Sequence, residues 1–334
     1  MLRKVSIALI CMAHSAMADQ AIVGRFLDEH ALPAFDQLDR SAANLAEVSA
    51  THCDGQSPEL LAAYGQAFDA WVGVSHIRVG PSEEEDRAFA LAFWPDTKGF
   101  TAKSLNALIK AADPVVYEPE GFASISIAAR GFYALEFLLF DAGLQDAETA
   151  TYRCDLVRAI AHEIHQNAAA IKWGWQGYQD VLRVPSADGP YKDDTEALRE
   201  VFKALHTGLQ FTSDARLGRP LGTFERPRPR RAEAWRSERS ARHVQLALVA
   251  SYELALMLAA DEPLITQSLQ AAYDRTIELV EQIDDPAFAG VADPSGRFRV
   301  EVLRQAVDRI REIVTLELAP ALGVTAGFNS LDGD

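Results

Sequence analysis

Apolar residues recur three and four positions apart along nearly the whole chain, and no run alternates apolar with polar as a half-buried strand would. That period commits the chain to helices that each bury one stripe. Asp19 to Val48 reads as a long helical stretch, either continuous or broken near Pro33, which lacks an N–H and crowds the preceding turn. Pro58 opens a helix whose stripe is Leu61, Tyr64, Phe68, Trp71 and Val72. Thr101 to Ala112 is a shorter helix, and the almost wholly apolar Ala123 to Phe140 reads as a central one. Arg153 to Leu182 repeats the stripe at Val157, Ile160, Ala161, Ile164, Ala168 and Ile171. The turn-rich segment VPSADG (184–189) then interrupts the pattern. Helices resume over Thr195 to Ser213, Ala232 to Ala260, Leu264 to Ile283 and Arg297 to Leu322. The fold class is all-α. About four long helices fall on each side of the break, the number that closes a bundle, so two helical-bundle domains are expected, over residues 19–187 and 188–334.

The first eighteen residues do not belong to this pattern. Arg3 and Lys4 precede a short apolar run, and Ala16-Met17-Ala18 forms a small-residue exit, which together read as a cleavable secretory signal over residues 1–18. No later stretch has the roughly 20 apolar residues of a membrane span. Export to the periplasm is the expectation, with association to the outer membrane as an extension of it. Beyond the signal only Cys53 and Cys154 remain, and in an oxidising compartment an even pair is expected to form a disulfide. The net charge is −16, and loss of Arg3 and Lys4 makes the mature chain still more acidic. That excess argues against nucleic acid and against anionic lipid, both of which select basic surfaces.

Residues able to do chemistry are sparse. Glu136 is the sole charge in GFYALEFLLF (131–140), so it is expected inside the core. There a carboxylate is paired with a cation, ligates a metal or keeps its proton. An arginine that ties helices together and a bound ligand or metal both satisfy that requirement. Tyr133 lies one turn earlier on the same face. In EAWRSERSARH (233–243), a helix would place Arg236, Ser240 and His243 on one face, suited to binding an anion or tying helices. No glycine-rich elbow precedes Ser240, so a nucleophile-and-base reading lacks its context. His162-Glu163-Ile164-His165 has H-x-x-H spacing, not the H-E-x-x-H of zinc peptidases, and reads as surface histidines. Arg219 to Arg231 (RPLGTFERPRPRR) is either an exposed loop or a cationic lip over an anionic ligand.

Several separated blocks, in order, resemble the imelysin-like family, also called insulin-cleaving membrane proteases. They are Trp71 with Gly80-Pro81, Phe93-Trp94-Pro95-Asp96 with Gly99, and Arg130-Gly131 through Phe140. Glu233-Ala234-Trp235-Arg236-Ser237 with Arg239-Ser240, and the terminal Gly327-Phe328-Asn329-Ser330-Leu331-Asp332-Gly333-Asp334, complete the set. The resemblance spans nearly all of the mature chain. It implies two helical bundles with a site where they meet, a link to iron-regulated uptake, and a metal site on a G-x-H-x-x-E motif from which the family took its peptidase label. Gly131 and Glu136 match that motif, but Tyr133 stands at the histidine. A neutral imidazole binds transition metals well, whereas a phenol must ionise first, which iron(III) tolerates.

The resulting expectation is a non-enzymatic periplasmic protein that binds a small ligand or metal ion in iron uptake. Its cofactor would be iron or another divalent or trivalent metal, and its partners other iron-uptake components. Glu136 would ligate the metal, and Tyr133, Arg130, Trp94, Asp96, Arg236, Ser237, Ser240 and Asp332 would line the ligand site. Two readings stand beside it: a metallopeptidase of the family, and a structural or partner-binding protein in which Glu136 is merely paired with an arginine.

Overall fold

The computed structural model describes residues 18–324. The signal segment up to residue 17, and the terminal block with Asp332 and Asp334, lie outside the described residues. Among those described the chain is all-α, with one isolated bridge between Thr223 and Arg226 and no strand.

Nine helices form the frame. They are α1 (18–51), α2 (Pro58–Val74), α3 (Phe100–Ala111), α4 (Gly131–Phe140) and α5 (Ala150–Arg183), then α6 (194–221), α7 (Ser240–Leu258), α8 (Pro263–Glu281) and α9 (294–321). Their starts follow capping chemistry. Ser57 Oγ accepts from Leu60 N–H ahead of Pro58, Asp193 accepts from Glu196 N–H, and Asp293 accepts from Ser295 and Gly296 ahead of Pro294. In α5 every expected stripe residue is buried, and Trp175 extends the stripe to stack on Phe35 of α1 at 5.3 Å.

Helix α1 does not break at Pro33. A wide π-turn over Phe26–Ala31 precedes the proline, and Leu32 N–H reaches back five residues to Leu27 O. The widened turn accommodates the missing donor while the helix runs on. It also carries His30 into the core, where its Nε2 lies 2.9 Å from Nε2 of His76. Similar π-turns sit in α6 (Thr212–Leu217) and α9 (Val314–Leu318).

Two expectations on helix length are corrected. The central helix begins at Gly131, not Ala123. Residues before it form short 3₁₀ turns, and Gly131 takes φ of +71° with the backbone of Ala90 and Leu91 pressed against it. Residues 232–239 are a turn rather than the first part of α7. Ala234 and Glu238 adopt φ of +48° and +56°, which a right-handed helix cannot contain.

Helices α1, α2, α4 and α5 pack together, as do α6, α7, α8 and α9. The two groups share one continuous core: α7 lies on α2 and on the π-turn of α1, and α5 touches α6. Cys53, just past α1, is joined by a disulfide to Cys154 in the first turns of α5. No helix among the described residues is long and apolar enough to cross a membrane.

Candidate functional site

Helix α4 and the 232–239 turn meet beside a cleft of about 720 Å³. The cleft is lined from both sides of residue 187, by Phe93, Trp94, Asp96, Tyr133 and Glu136 on one and by Arg219, Arg230, Arg231, Trp235 and Arg236 on the other. The turn is closed by bonds that a continuous helix would not make. Ser240 Oγ donates to Glu233 O at 2.6 Å, and Arg239 N–H bonds back to Ala234 O at 3.0 Å. Arg236 therefore precedes α7 and shares no helix face with Ser240 and His243.

Glu136 is 2% exposed, and the Arg236 guanidinium, whose charge it feels, donates instead to Asp141. Its Oε1 accepts from Ser237 N–H at 3.0 Å and from Ser237 Oγ at 2.8 Å. Burial raises its pKa, although the two Ser237 donors pull the other way. Tyr133, one turn away, faces a different partner. Its hydroxyl donates to Glu233 Oε1 at 2.6 Å, while Arg216 Nε donates to Glu233 Oε2 at 2.7 Å. Burial and then the Glu233 charge push the Tyr133 phenol well above its ordinary value. Burial opposes ionisation of Glu233 too, but the Arg216 charge outweighs it and holds this carboxyl well below its usual range. His243 is fully buried, with Nδ1 3.2 Å from Glu233 Oε2 and its ring edge-on to Phe68 at 4.4 Å. Burial pushes the imidazole down, towards the neutral form. Arg216 and Glu233 thus make a buried, internally neutral pair, and Tyr133 and His243 surround it uncharged.

The remaining candidates divide. Trp94 stacks on Tyr133 at 6.2 Å between ring centres and meets Phe211 edge-on. Arg236 lies over the Phe137 ring at 3.6 Å and donates to Asp141 Oδ2 at 2.7 Å. Asp96 sits at the cleft edge, yet its oxygens accept from Lys98 and Thr101 N–H groups at the start of α3. Burial disfavours the Asp96 carboxylate, but donors from Thr101 and Phe100 prevail and lower its pKa. Arg130 points elsewhere, to Glu163 Oε1 at 2.9 Å on α5. Ser237 touches the site only through Glu136, and Ser240 only braces the turn.

Sequence reasoning passed over Glu233 and Arg216, whereas of the segment Arg219 to Arg231, read either as an exposed loop or as a cationic lip, Arg219, Arg230 and Arg231 line the cleft. Glu233 carried a signal, an acid between two alanines in a block already singled out. Arg216 carried none, since its burial depends on the π-turn in α6.

The metal that the sequence resemblance implies does not fit these side chains. Tyr133 keeps its proton and spends it on Glu233, and one Glu136 oxygen is taken by Ser237. Among the described residues no group of three or more His, Cys, Asp and Glu side chains is placed to share a metal ion. As the side chains stand, the Tyr133 hydroxyl is turned to Glu233 and not to Glu136, so the two do not form a ready-made oxygen pair.

No curated protein matches the chain. Among solved structures, an imelysin-like protein from Psychrobacter arcticum 273-4 is similar over 94% of this chain and 98% of its own, with TM-score 0.77 at 20% identity. A protein described as an iron-regulated protein A precursor, from Parabacteroides distasonis ATCC 8503, is similar over 91% and 95%, with TM-score 0.72 at 15% identity. At these identities both likenesses speak to the fold. The imelysin (peptidase M75) profile matches residues 31–314, and with that span of the sequence accounted for, this chain belongs to the imelysin family.

Proposed function

We propose that this chain is an exported, non-catalytic binding protein of iron handling, which takes its ligand in the cleft between α4 and the 232–239 turn. One observation carries the reading: beneath an open cleft, the groups that peptidase chemistry would call on are already committed. A metallopeptidase needs a metal that acidifies a bound water and a base placed to receive its proton. Here Glu233 is neutralised by Arg216, Tyr133 is its donor, His243 is sealed against Phe68, and Glu136 accepts from Ser237. What stays open to a ligand is the aromatic and arginine lining. The disulfide and the N-terminal signal pattern support an oxidising compartment outside the cytoplasm. The iron-regulated relative supports the link to iron, and other iron-uptake components are the partners this reading implies.

The test uses the mature protein, purified without chelator. Equilibrium dialysis against iron salts and iron chelates is expected to show retained ligand, and a peptide library to survive incubation with and without added metal. Cleavage that a chelator abolishes would overturn the reading.

A further inference from the structure

We infer that the ligand of this cleft is an organic polyanion with carboxylate-type oxygens and a flat or apolar body, so that iron bound here is carried as its anionic chelate and not as a bare ion. The inference rests on the cleft being the binding site and names the class of its ligand.

The first ground is charge. The chain carries a net −16, yet four arginines line this one cleft. Its three acidic lining residues are spoken for: Asp96 by the N–H groups that start α3, Asp141 by Arg236, and Glu136 by Ser237. Arg219, Arg230 and Arg231 have no carboxylate partner among the described residues. A bare cation would meet an uncompensated positive wall, whereas an anion would supply the missing counter-charge.

The second ground is geometry. The Arg219 guanidinium lies 5.6 Å from the Trp94 ring centre, and that of Arg230 lies 5.7 Å from Trp235. Each indole holds its cation by its face, which orients the donors without consuming them. The Nε of Arg219 is buried without a hydrogen-bond acceptor, an unmet donor at the edge of the cleft. Phe93, Phe137 and Phe140 complete an apolar floor, which suits a flat organic body better than a small inorganic ion.

The third ground is rigidity. The arginine-bearing loop is pinned: Gly222 takes φ of +57°, Arg228 N–H bonds to Pro220 O at 2.8 Å, and Arg231 N–H bonds to Arg228 O at 2.8 Å. Pro227 and Pro229 fix the backbone between them. Mutual repulsion is accordingly built in. Burial and then the neighbouring Arg231 lower the Arg219 pKa, a strain that a bound anion would relieve. Holding like charges together before the ligand arrives reduces the ordering that binding must supply.

The experiment follows Trp94 and Trp235 fluorescence, with calorimetry, as the mature protein is titrated with benzene-1,3,5-tricarboxylate, citrate, ferric citrate, inorganic phosphate, ferrous and ferric salts, and the neutral tricarboxylate trimethyl ester. The tricarboxylate or the ferric chelate is expected to bind, more weakly as salt rises, and the ester to be silent. Arg219→Gln and the Arg230→Gln/Arg231→Gln double variant should each weaken binding about tenfold or more. Arg226→Gln, outside the cleft, should leave it unchanged, and circular dichroism would check that each variant folds. Saturation by free tricarboxylate and citrate assigns the site to the anion itself, while saturation by ferric citrate alone assigns it to the chelate. Binding of bare iron, of the ester, or of any probe with equal affinity in the arginine variants would overturn the anion inference while leaving a binding protein. Absence of all binding together with chelator-sensitive peptide cleavage would instead overturn the proposed function on which it rests.

Discussion

Glu163 and Glu233 are both buried beside an arginine, yet their environments drive them in opposite directions. Glu163 is paired with Arg130 and Asn167 through Oε1, but its Oε2 is buried without a donor, and burial pushes its pKa up to about 7. The unfolded side chain ionises near 4.5. Below that value both states are protonated, and the folded state keeps the full contribution. As pH rises to about 7 the folded state must retain or lose a proton the unfolded state has already shed, so stability falls across that window. The difference in unfolding free energy between wild type and Glu163→Gln should therefore drop by about 3 kcal/mol between pH 4.5 and 7. Urea denaturation across that range reads it, and a pH-independent difference would sink the argument. Glu233 behaves otherwise because Arg216, with its side chain 4% exposed, has no water to replace its counter-ion. Glu233→Gln is expected to destabilise by roughly 3–5 kcal/mol, while Arg216→Met/Glu233→Leu recovers much of the loss by removing both charges. Equal stability of the single and double variants would show that the pair is not what holds this region.

At the scale of elements, Gly131 decides where α4 starts and so where Tyr133 and Glu136 point. A Cβ there would lie 2.2 Å from Ala90 O and 2.3 Å from Leu91 O, and its φ of +71° is costly for any L side chain. Gly131→Ala is expected to cost about 3 kcal/mol or more, from a left-handed φ plus a clash with backbone that cannot rotate away. A variant within 1 kcal/mol of wild type in thermal or urea unfolding would show that the contact yields. The same glycine marks the limit of what periodicity could read. The stripes of α2 and α5 were legible because apolar spacing is a direct record of which face is buried. The start of α4 was not, since Ala123–Ala129 is as apolar as a helix while Gly131 takes its shape from a distant backbone. Glu136 was legible as a buried charge because nothing else in its helix is charged. Its partner was not, because Ser237 reaches it from a turn whose left-handed Ala234 and Glu238 are unusual residues for that conformation. The π-turns that bring His30 and Arg216 inward leave no mark in composition.

Across the described residues, polar links as well as the apolar core cross the break near residue 187. Tyr133 reaches Glu233, Arg216 reaches Ser75 Oγ at 3.3 Å, and Arg25 donates to Met257 O at 3.3 Å. The cleft is thus a seam over one continuous core, and its width depends on how firmly the helices behind it are set. Helices α1 and α5 form the broadest packed pair in the N-terminal group, and the Cys53–Cys154 disulfide ties them at one end across a separation of 101 residues. A crosslink over so long a segment acts mainly on the unfolded chain, whose ends it holds together, by an amount that approaches 5 kcal/mol for about 100 residues in the chain-entropy account and is more often about 2–4 in practice. Cys53→Ser/Cys154→Ser is expected to lose stability in that range, and reduced wild type to match it. Because the effect resides in the unfolded chain, ligand affinity in the cleft should change little, provided the variant is measured well below its unfolding midpoint. Urea denaturation of the oxidised, reduced and double-serine proteins, run beside a ligand titration of each, separates the two contributions. A loss of affinity as large as the loss of stability would mean instead that the disulfide sets the native spacing of α1 and α5, and through it the shape of the cleft.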